Sequence, residues 1–458
     1  MPSARSVYVC QQCGSTSPKW AGQCPSCEAW NTLVETVMPS GPAKRRERPT
    51  GGPGAAAVEP IGSVSSAEAE RLASGIGEVD RVLGGGLVPG SIVLFGGDPG
   101  IGKSTLLLQL AARRAASGAS ALYVTGEESS RQVRGRAERV GAVVDGVSLL
   151  ATTELETAVE AISATAPALA VVDSVQTLAS GELTGPAGSV GQVREVAMRL
   201  AEVAKRSATC VALVGHVTKE GTVAGPRTLE HLVDAVVYLE GERLGTTRLV
   251  RAAKNRFGST DEVGVLEMRG DGLVEVPDAS RFFLESEQPP VAGSAVTIAL
   301  EGTRPLAVEI QALVAPAGYG SPRRATTGID TNRVLMLIAV LARHAGLNLT
   351  GHDVYVNVAG GLRIEEPAAD LAVAAALASS LRERAVRSGT VLAGELALSG
   401  RLRPVPRPER RLAEARRLGF DRLITGPARG DGERPKPAAN GIEQAGDLRD
   451  ALGRALEP

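Results

Sequence analysis

Short apolar runs and longer amphipathic stretches take turns along this chain. Ile92-Val93-Leu94-Phe95, Ala121-Leu122-Tyr123-Val124, Val147-Ser148-Leu149-Leu150, Leu169-Ala170-Val171-Val172 and Val211-Ala212-Leu213-Val214 are of strand length, and helical stretches separate them. Strands alternating with amphipathic helices predict an α/β fold, a mostly parallel sheet covered on both faces with ligands at the carboxyl ends of the strands. The pattern breaks twice. From Met38 to Ala57 it gives way to Pro, Gly, Ala and the basic run Lys44-Arg45-Arg46-Glu47-Arg48, the composition of a flexible, solvated tether. Ordered sequence resumes near Ile61. A second break, Ser286 to Gly293, precedes another α/β domain. Its landmarks are a strand over Ala295–Leu300, a helix from Asn332 to about His344, a strand over Val354–Val358 and an alanine-rich helix from Asp370 to Leu381.

Composition narrows the partners. The 458 residues carry 50 Lys and Arg against 51 Asp and Glu, a formal charge of −1, so any nucleic-acid contact has to come from local basic clusters. Aromatic residues make up 3%, too few for recognition by many stacked bases but enough for a few well-placed rings. Neither a signal-peptide core nor a stretch of membrane-span length is evident, so a cytoplasmic protein without a membrane partner is expected. Four of the five cysteines fall in the first thirty residues, as Cys10-x-x-Cys13 and Cys24-x-x-Cys27, with Gly14, Gly22 and Pro25 supplying turns. Four thiolates so spaced suit one tetrahedral Zn²⁺ with no open position, a structural site in a segment too small to fold on its own core. A redox pair is the alternative. Trp20, Trp30, Lys19 and Tyr8 lie in or beside this module, placed either to contact DNA or to cover the metal.

The sharpest chemical signal is Gly97-Asp98-Pro99-Gly100-Ile101-Gly102-Lys103-Ser104-Thr105, which follows a predicted strand and opens a predicted helix. In that context it is a phosphate-binding loop. Glycines let successive N–H groups curl around an anion, the helix N-terminus adds positive potential, Lys103 reaches the β- and γ-phosphates, and Ser104 holds Mg²⁺. ATP and Mg²⁺ are the expected ligands, although such a loop reads phosphates and leaves the base open. Asp173 ends a strand where a second Mg²⁺ carboxylate belongs. Glu127 and Glu128 end another, where one of them is placed to polarise the attacking water. His216 ends a third, either sensing the γ-phosphate or simply buried.

Together with the paired cysteines and the loop, four further segments resemble the bacterial RadA (Sms) family over nearly the whole chain. They are Tyr123-Val124-Thr125-Gly126-Glu127-Glu128-Ser129, Asp173-Ser174-Val175-Gln176, Gly215-His216-Val217-Thr218-Lys219-Glu220-Gly221 and Lys254-Asn255-Arg256-Phe257-Gly258. The last is that family's own signature. The resemblance implies a C4-type zinc finger over residues 1–36, a linker over 37–60, a RecA-like ATPase domain over 61–286 and a Lon-protease-like domain over 290–458. It also implies a hexameric ring that binds single-stranded and branched DNA, drives branch migration in recombinational repair, and works beside the RecA recombinase. A nucleotide-switched loading factor without motor activity is the rival reading. Lys254 and Arg256, two apart, point the same way on an extended segment and so can reach a neighbour's γ-phosphate in a ring. Their alternative use is a surface or DNA-backbone pair. The loops Ala179–Gln192 and Val217–Glu230 are expected to face DNA, with Lys219 and Arg227 on phosphates.

Residues 290 to about 430 resemble the Lon proteolytic domain without its catalytic pair. Glu366-Pro367-Ala368-Ala369-Asp370 puts Ala368 where the family has its serine nucleophile, and a methyl group cannot attack a carbonyl. The downstream position expected for lysine falls on Glu409 or Arg410. Peptidase chemistry is therefore not expected. Arg401, Arg403, Arg407, Arg410, Arg411, Arg416 and Arg417 form a local basic cluster with two readings, DNA-facing or paired with nearby acids and solvent.

Overall fold

The computed structural model describes residues 5–10, 16–26, 28–30, 32–38, 71–215, 229–241, 245–284, 291–318, 321–428 and 440–458. Cys13, Cys27, His216, Lys219 and Arg227 lie outside the described residues. The chain divides into two compact units, Met1–Leu239 with Arg251–Thr260 and Gly270–Leu273, and Glu240–Val250 with Asp261–Arg269 and Val274–Pro458.

At the N-terminus β1 (Arg5–Cys10), β2 (Thr16–Ser17) and β3 (Leu33–Met38) form an antiparallel ribbon in the order β2-β1-β3. Among the described residues its apolar core is Cys10, Cys24 and Leu33, with Tyr8 and Ala21 packed on them. So small an apolar cluster cannot offset the entropy of ordering the segment, which is why a metal is expected to supply the rest.

Beyond it run α1 (Gly77–Leu83), β4 (Ile92–Gly97), α2 (Lys103–Ala116), β5 (Ala121–Thr125), α3 (Ser130–Arg139), β6 (Val147–Ala151), α4 (Leu155–Thr165), β7 (Leu169–Asp173), α5 (Val190–Ser207) and β8 (Cys210–Val214). Then come β9 (Ala235–Glu240), β10 (Thr247–Asn255), β11 (Val263–Arg269) and β12 (Gly272–Glu275). The sheet order is β12-β11-β10-β9-β4-β8-β7-β5-β6, parallel from β9 through β6. All five aliphatic runs are strands of this sheet. β4, β5, β7 and β8 are buried along their whole length, as parallel strands covered on both faces must be. On α5, Val193, Val196, Ala197, Leu200, Val203 and Ala204 recur at helical spacing and enter the core. β6 is the edge, and Leu149 on it is exposed. β9 carries an aliphatic run of its own, Ala235-Val236-Val237-Tyr238-Leu239, outside the five read from the sequence, whereas β10 escapes a search for such runs because Arg248, Arg251 and Lys254 interrupt it.

Register decides where the chemistry sits. Phe95 pairs with Val214, and Thr125 lies opposite both Asp173 and Ala151, so the ends of β4, β5, β7 and β8 line up along one rim. That rim begins at Gly97.

The second unit continues through α6 (Ala279–Phe282), β13 (Ser294–Glu301), β14 (Arg304–Pro316), β15 (Arg324–Thr327), α7 (Thr331–Val340), β16 (His352–Val358), α8 (Asp370–Arg382), β17 (Thr390–Ala393), β18 (Glu395–Leu396), β19 (Leu402–Arg403), α9 (Pro408–Arg417), β20 (Arg422–Thr425), β21 (Ile442–Gln444) and α10 (Leu448–Ala455). Its sheets are β13-β14-β16-β15, β17-β20-β21 and β18-β19. The alanine-rich α8 is buried from Asp370 to Ser379, as a helix apolar all round must be. The helix expected over 332–344 keeps α geometry to Val340 and finishes as a π turn over Leu341–Ala345. Among the described residues no helix is long and apolar enough to cross a membrane.

Candidate nucleotide site

The loop from Gly97 to Thr105 hangs between β4 and the first turn of α2. Two of its glycines are fixed by geometry. Gly97 has φ 144° and its Cβ would lie 2.4 Å from the Leu239 carbonyl oxygen, while Gly100, at φ 79°, would direct a Cβ into the open space a phosphate needs. Lys103 Nζ donates to the carbonyls of Gly97 at 2.8 Å and Asp98 at 3.0 Å. Burial lowers its pKa, and Asp173, Asp98 and Glu127 oppose that shift. A partly desolvated ammonium beside three carboxylates is held ready for a polyanion.

Asp173, at the end of β7, is 4% exposed. Its Oδ2 accepts a hydrogen bond of 2.5 Å from the Tyr123 hydroxyl. Burial, then the Asp173 charge, push the Tyr123 phenol well up from its ordinary range, so it stays a donor. Arg136 of α3 reaches in from behind, 2.5 Å from Glu128 Oε2 and 3.7 Å from Asp173 Oδ2, and donates to the Tyr123 oxygen at 3.3 Å. Asp173 Oδ1 is buried with no hydrogen-bond partner among the described residues. A carboxylate oxygen left so is expensive unless a cation takes it. The hard oxygen donors present, Asp173 Oδ1 and the Ser104 hydroxyl, suit Mg²⁺, which when bound would supply Lewis-acid neutralisation of phosphate charge.

The two glutamates after β5 part company. Glu127 Oε1 accepts a 2.5 Å bond from Ser174, and its charge is felt at Lys103. Glu128 turns to Arg136, and its backbone is tied to Thr125 Oγ1, which donates to the Glu128 carbonyl at 3.0 Å and accepts from its N–H at 3.1 Å. Of the two, Glu127 is the one whose charge acts on Lys103.

Lys254 closes to the end of β10, and the chain turns at Arg256, so the extended segment expected across the pentapeptide stops at Asn255. Both cations nonetheless reach the same stretch. Lys254 Nζ donates to the carbonyls of Glu230 at 2.6 Å and Val233 at 2.8 Å, and Arg256 Nη1 lies 3.0 Å from Asp234 Oδ1. Asp234 Oδ2 in turn accepts the N–H of Ile92 at 3.1 Å, linking the pair to the root of β4. Asn255 Oδ1 accepts the Phe257 N–H at 2.9 Å, and Arg71 donates to the Phe257 carbonyl at 2.5 Å, which fixes the turn. The Arg256 side chain remains 55% exposed. Of the two loops expected to face DNA, Val217–Glu230 is described only from Leu229 onward. Ala179–Gln192 is laced by the buried Gln192 amide, which accepts from Ser180 N and donates to the Ser180 and Leu183 carbonyls.

In the second unit Ala368 is buried, and Glu409 and Arg410 stand exposed at the start of α9. The chemistry missed by sequence reasoning is next door. Arg411 is wholly buried and grips Glu366 with its two terminal guanidinium nitrogens, while Nη1 also donates to the Ile298 carbonyl and Nε to the Pro406 carbonyl. Arg333 makes a second bidentate pair with Asp370, at 2.6 Å on each oxygen. The basic cluster thus loses members to pairing, for Arg417 holds Asp278 and Glu414, and Arg403 holds Glu395. Tyr123 and Asp234 were also overlooked, although a phenol inside an aliphatic strand and a carboxylate just before one each need a buried partner.

A parallel α/β sheet with a phosphate loop after β4 and a carboxylate at the end of β7 defines a RecA-like P-loop ATPase, here with an N-terminal zinc ribbon and a Lon-like C-terminal domain. Residues 8–35 match the family described as the rubredoxin metal binding domain, 59–222 the AAA domain and 324–428 subunit ChlI of Mg-chelatase. The DNA repair protein RadA of Bacillus subtilis is 48% identical over 469 residues, covering 100% of both chains. Those of Listeria monocytogenes and Pseudomonas aeruginosa are 46% and 48% identical, covering 98% and 97% of this chain and 98% and 96% of their own. The chain belongs to the RadA family of DNA repair proteins.

Proposed function

We propose that this protein is a DNA-dependent ATPase that binds single-stranded DNA and drives branch migration of recombination intermediates as a ring, probing branched DNA alongside the RecA recombinase. The observation that carries the reading is the pairing of a loop built for triphosphate with an unpartnered Asp173 oxygen and a half-exposed Arg256 anchored to the root of the same sheet. Lys103 binds the β- and γ-phosphates, Ser104 and Asp173 hold Mg²⁺, and Glu127 rather than Glu128 orients the attacking water. Lys254 and Arg256 act across a subunit boundary, stabilising transition-state charge on the neighbour's nucleotide. Cys10, Cys13, Cys24 and Cys27 bind Zn²⁺. The burial of Cys10 and Cys24 in one small cluster supports this assignment.

Lys219 and Arg227 contact DNA phosphates, so alanine at either weakens single-strand binding and flattens its salt dependence by about one ion per lost contact. The rival reading is a nucleotide-switched loading factor, which uses the same site without moving DNA. Strand exchange with purified recombinase separates the two. Wild type extends branched intermediates in the presence of ATP, whereas Lys103→Ala and Arg256→Ala do not. ATP-dependent DNA binding with no extension by the wild type would select the switch.

A further inference from the structure

We propose that Trp20 and Trp30 form a stacking platform for bases of single-stranded DNA on the metal ribbon; the inference rests on the DNA-binding function proposed above. They are the only tryptophans in the chain, and they stand 59% and 70% exposed. Of the described cysteines in this module, Cys10 and Cys24 are each 1% exposed, in a cluster with Leu33 on which Tyr8 and Ala21 pack. Both indoles instead converge on Gly22, where an added Cβ would meet Trp30 at 3.6 Å and Trp20 at 4.0 Å.

Their backbones are held firmly. Trp30 pairs with Gln23 in an antiparallel bridge, and the turn leading to Trp20 is closed by Ser17 Oγ, which donates to the Lys19 carbonyl at 2.6 Å. Gln23 Nε2 further donates to the Glu28 carbonyl at 2.9 Å, bracing the strand between the rings. Two large flat rings presented on a short, braced scaffold lose little freedom when a planar partner stacks on them.

A cation stands beside the rings, for exposed Lys19 adjoins Trp20. Exposed aromatic faces beside cations are what a single strand offers its bases and phosphates to, and every base has a face to stack. Glu28, also exposed, tempers the charge of Lys19, so the platform contributes chiefly by stacking.

Because no other tryptophan contributes, intrinsic fluorescence of the full-length protein reads the site directly. Titration with oligo(dT) is expected to quench it. Trp20→Leu and Trp30→Leu, which keep apolar bulk but remove the ring, should each weaken oligo(dT) binding by about 5- to 100-fold, and Trp→Tyr at the same positions should recover most of it. The salt slope should stay that of the wild type, since no phosphate contact is lost. Zinc content is measured alongside; if a leucine variant loses metal, the tyrosine variant decides by its fluorescence response and affinity. Binding by the wild type without quenching, and with unchanged affinity in both leucine variants, would overturn the platform and leave a protein-docking surface instead. Absence of any oligo(dT) binding by the wild type would remove the DNA function itself, and the platform with it.

Discussion

Two clusters of buried charge, one in each unit, have been put to opposite uses. At the end of β7 the carboxylate of Asp173 is half satisfied, one oxygen held by Tyr123 and the other without a hydrogen-bond partner among the described residues. Around α8 the carboxylates of Glu366 and Asp370 each accept three hydrogen bonds, two from a bidentate arginine and one from a backbone N–H, of Leu300 and Leu396 respectively, so that both oxygens have a partner. A buried group that keeps a lone pair free pays a standing electrostatic penalty and gains a ligand. A group with a partner on each oxygen supports its own surroundings. The nucleotide site follows the first pattern. The Lon-like domain, with the buried Ala368 where its relatives by resemblance carry a serine, follows the second.

The comparison breaks most sharply at Arg411. Arg411→Ala removes a wholly buried guanidinium and leaves the partly buried Glu366 beside the amide of Leu300 without its counter-ion, and should destabilise the second unit by about 2–4 kcal/mol in denaturant titration. Nucleotide affinity should be unaffected under native conditions. The double change Glu366→Gln with Arg411→Met should restore most of the stability, because neutral groups leave no orphaned charge. Equal stability of wild type and Arg411→Ala would show that the pair is not what holds this domain.

At the other pole, Asp173→Asn and Lys103→Ala should each lower ATP turnover by about 10²–10³-fold with little change in unfolding midpoint, since each removes a group aimed at the ligand. Turnover is read with saturating ATP and Mg²⁺. A smaller effect comes from Tyr123→Phe, which frees Asp173 Oδ2 while retaining the ring. The Mg²⁺ requirement for turnover should rise by roughly tenfold, about the value of one charged hydrogen bond, with nucleotide affinity in the absence of metal unchanged. If Mg²⁺ dependence stays the same, the phenol merely fills the core.

The smallest effect is a matter of pH. Arg417, first by its hydrogen bond, holds the Asp278 carboxyl down from 3.8 to about 2. A carboxyl depressed in the folded state adds stability that is present above its unfolded pKa and disappears as pH falls from about 4 toward 2. Arg417→Ala should therefore be measurably less stable than wild type at pH 6, and the gap should narrow as the pH is lowered through 4. A constant gap would assign the loss to packing of the arginine stem.

How much of this could be read in advance depended on whether the signal was local. The aliphatic strands and the loop from Gly97 to Thr105 announce themselves within a few residues, because burial on both faces and phosphate binding each demand a fixed local composition. β10 did not, since Arg248, Arg251 and Lys254 break its apolar pattern while serving contacts made elsewhere. Arg411 was read as one of a basic cluster that either faces DNA or pairs with acids and solvent; it is paired with an acid, but fully buried. Its partner, Glu366, lies 45 residues earlier, and no spacing rule connects them. The choice between Glu127 and Glu128 was likewise beyond sequence, for it turns on Arg136 and Ser174 approaching from different elements.

The central claim is that one protomer's loop is completed by another protomer's arginine. Mixing Lys103→Ala protein with Arg256→Ala protein tests it, because only an interface between the two variants brings an intact loop together with an intact Arg256. DNA-stimulated ATP hydrolysis by the mixture should exceed that of either variant alone; a mixture no more active than the sum of its parts would contradict action across the boundary.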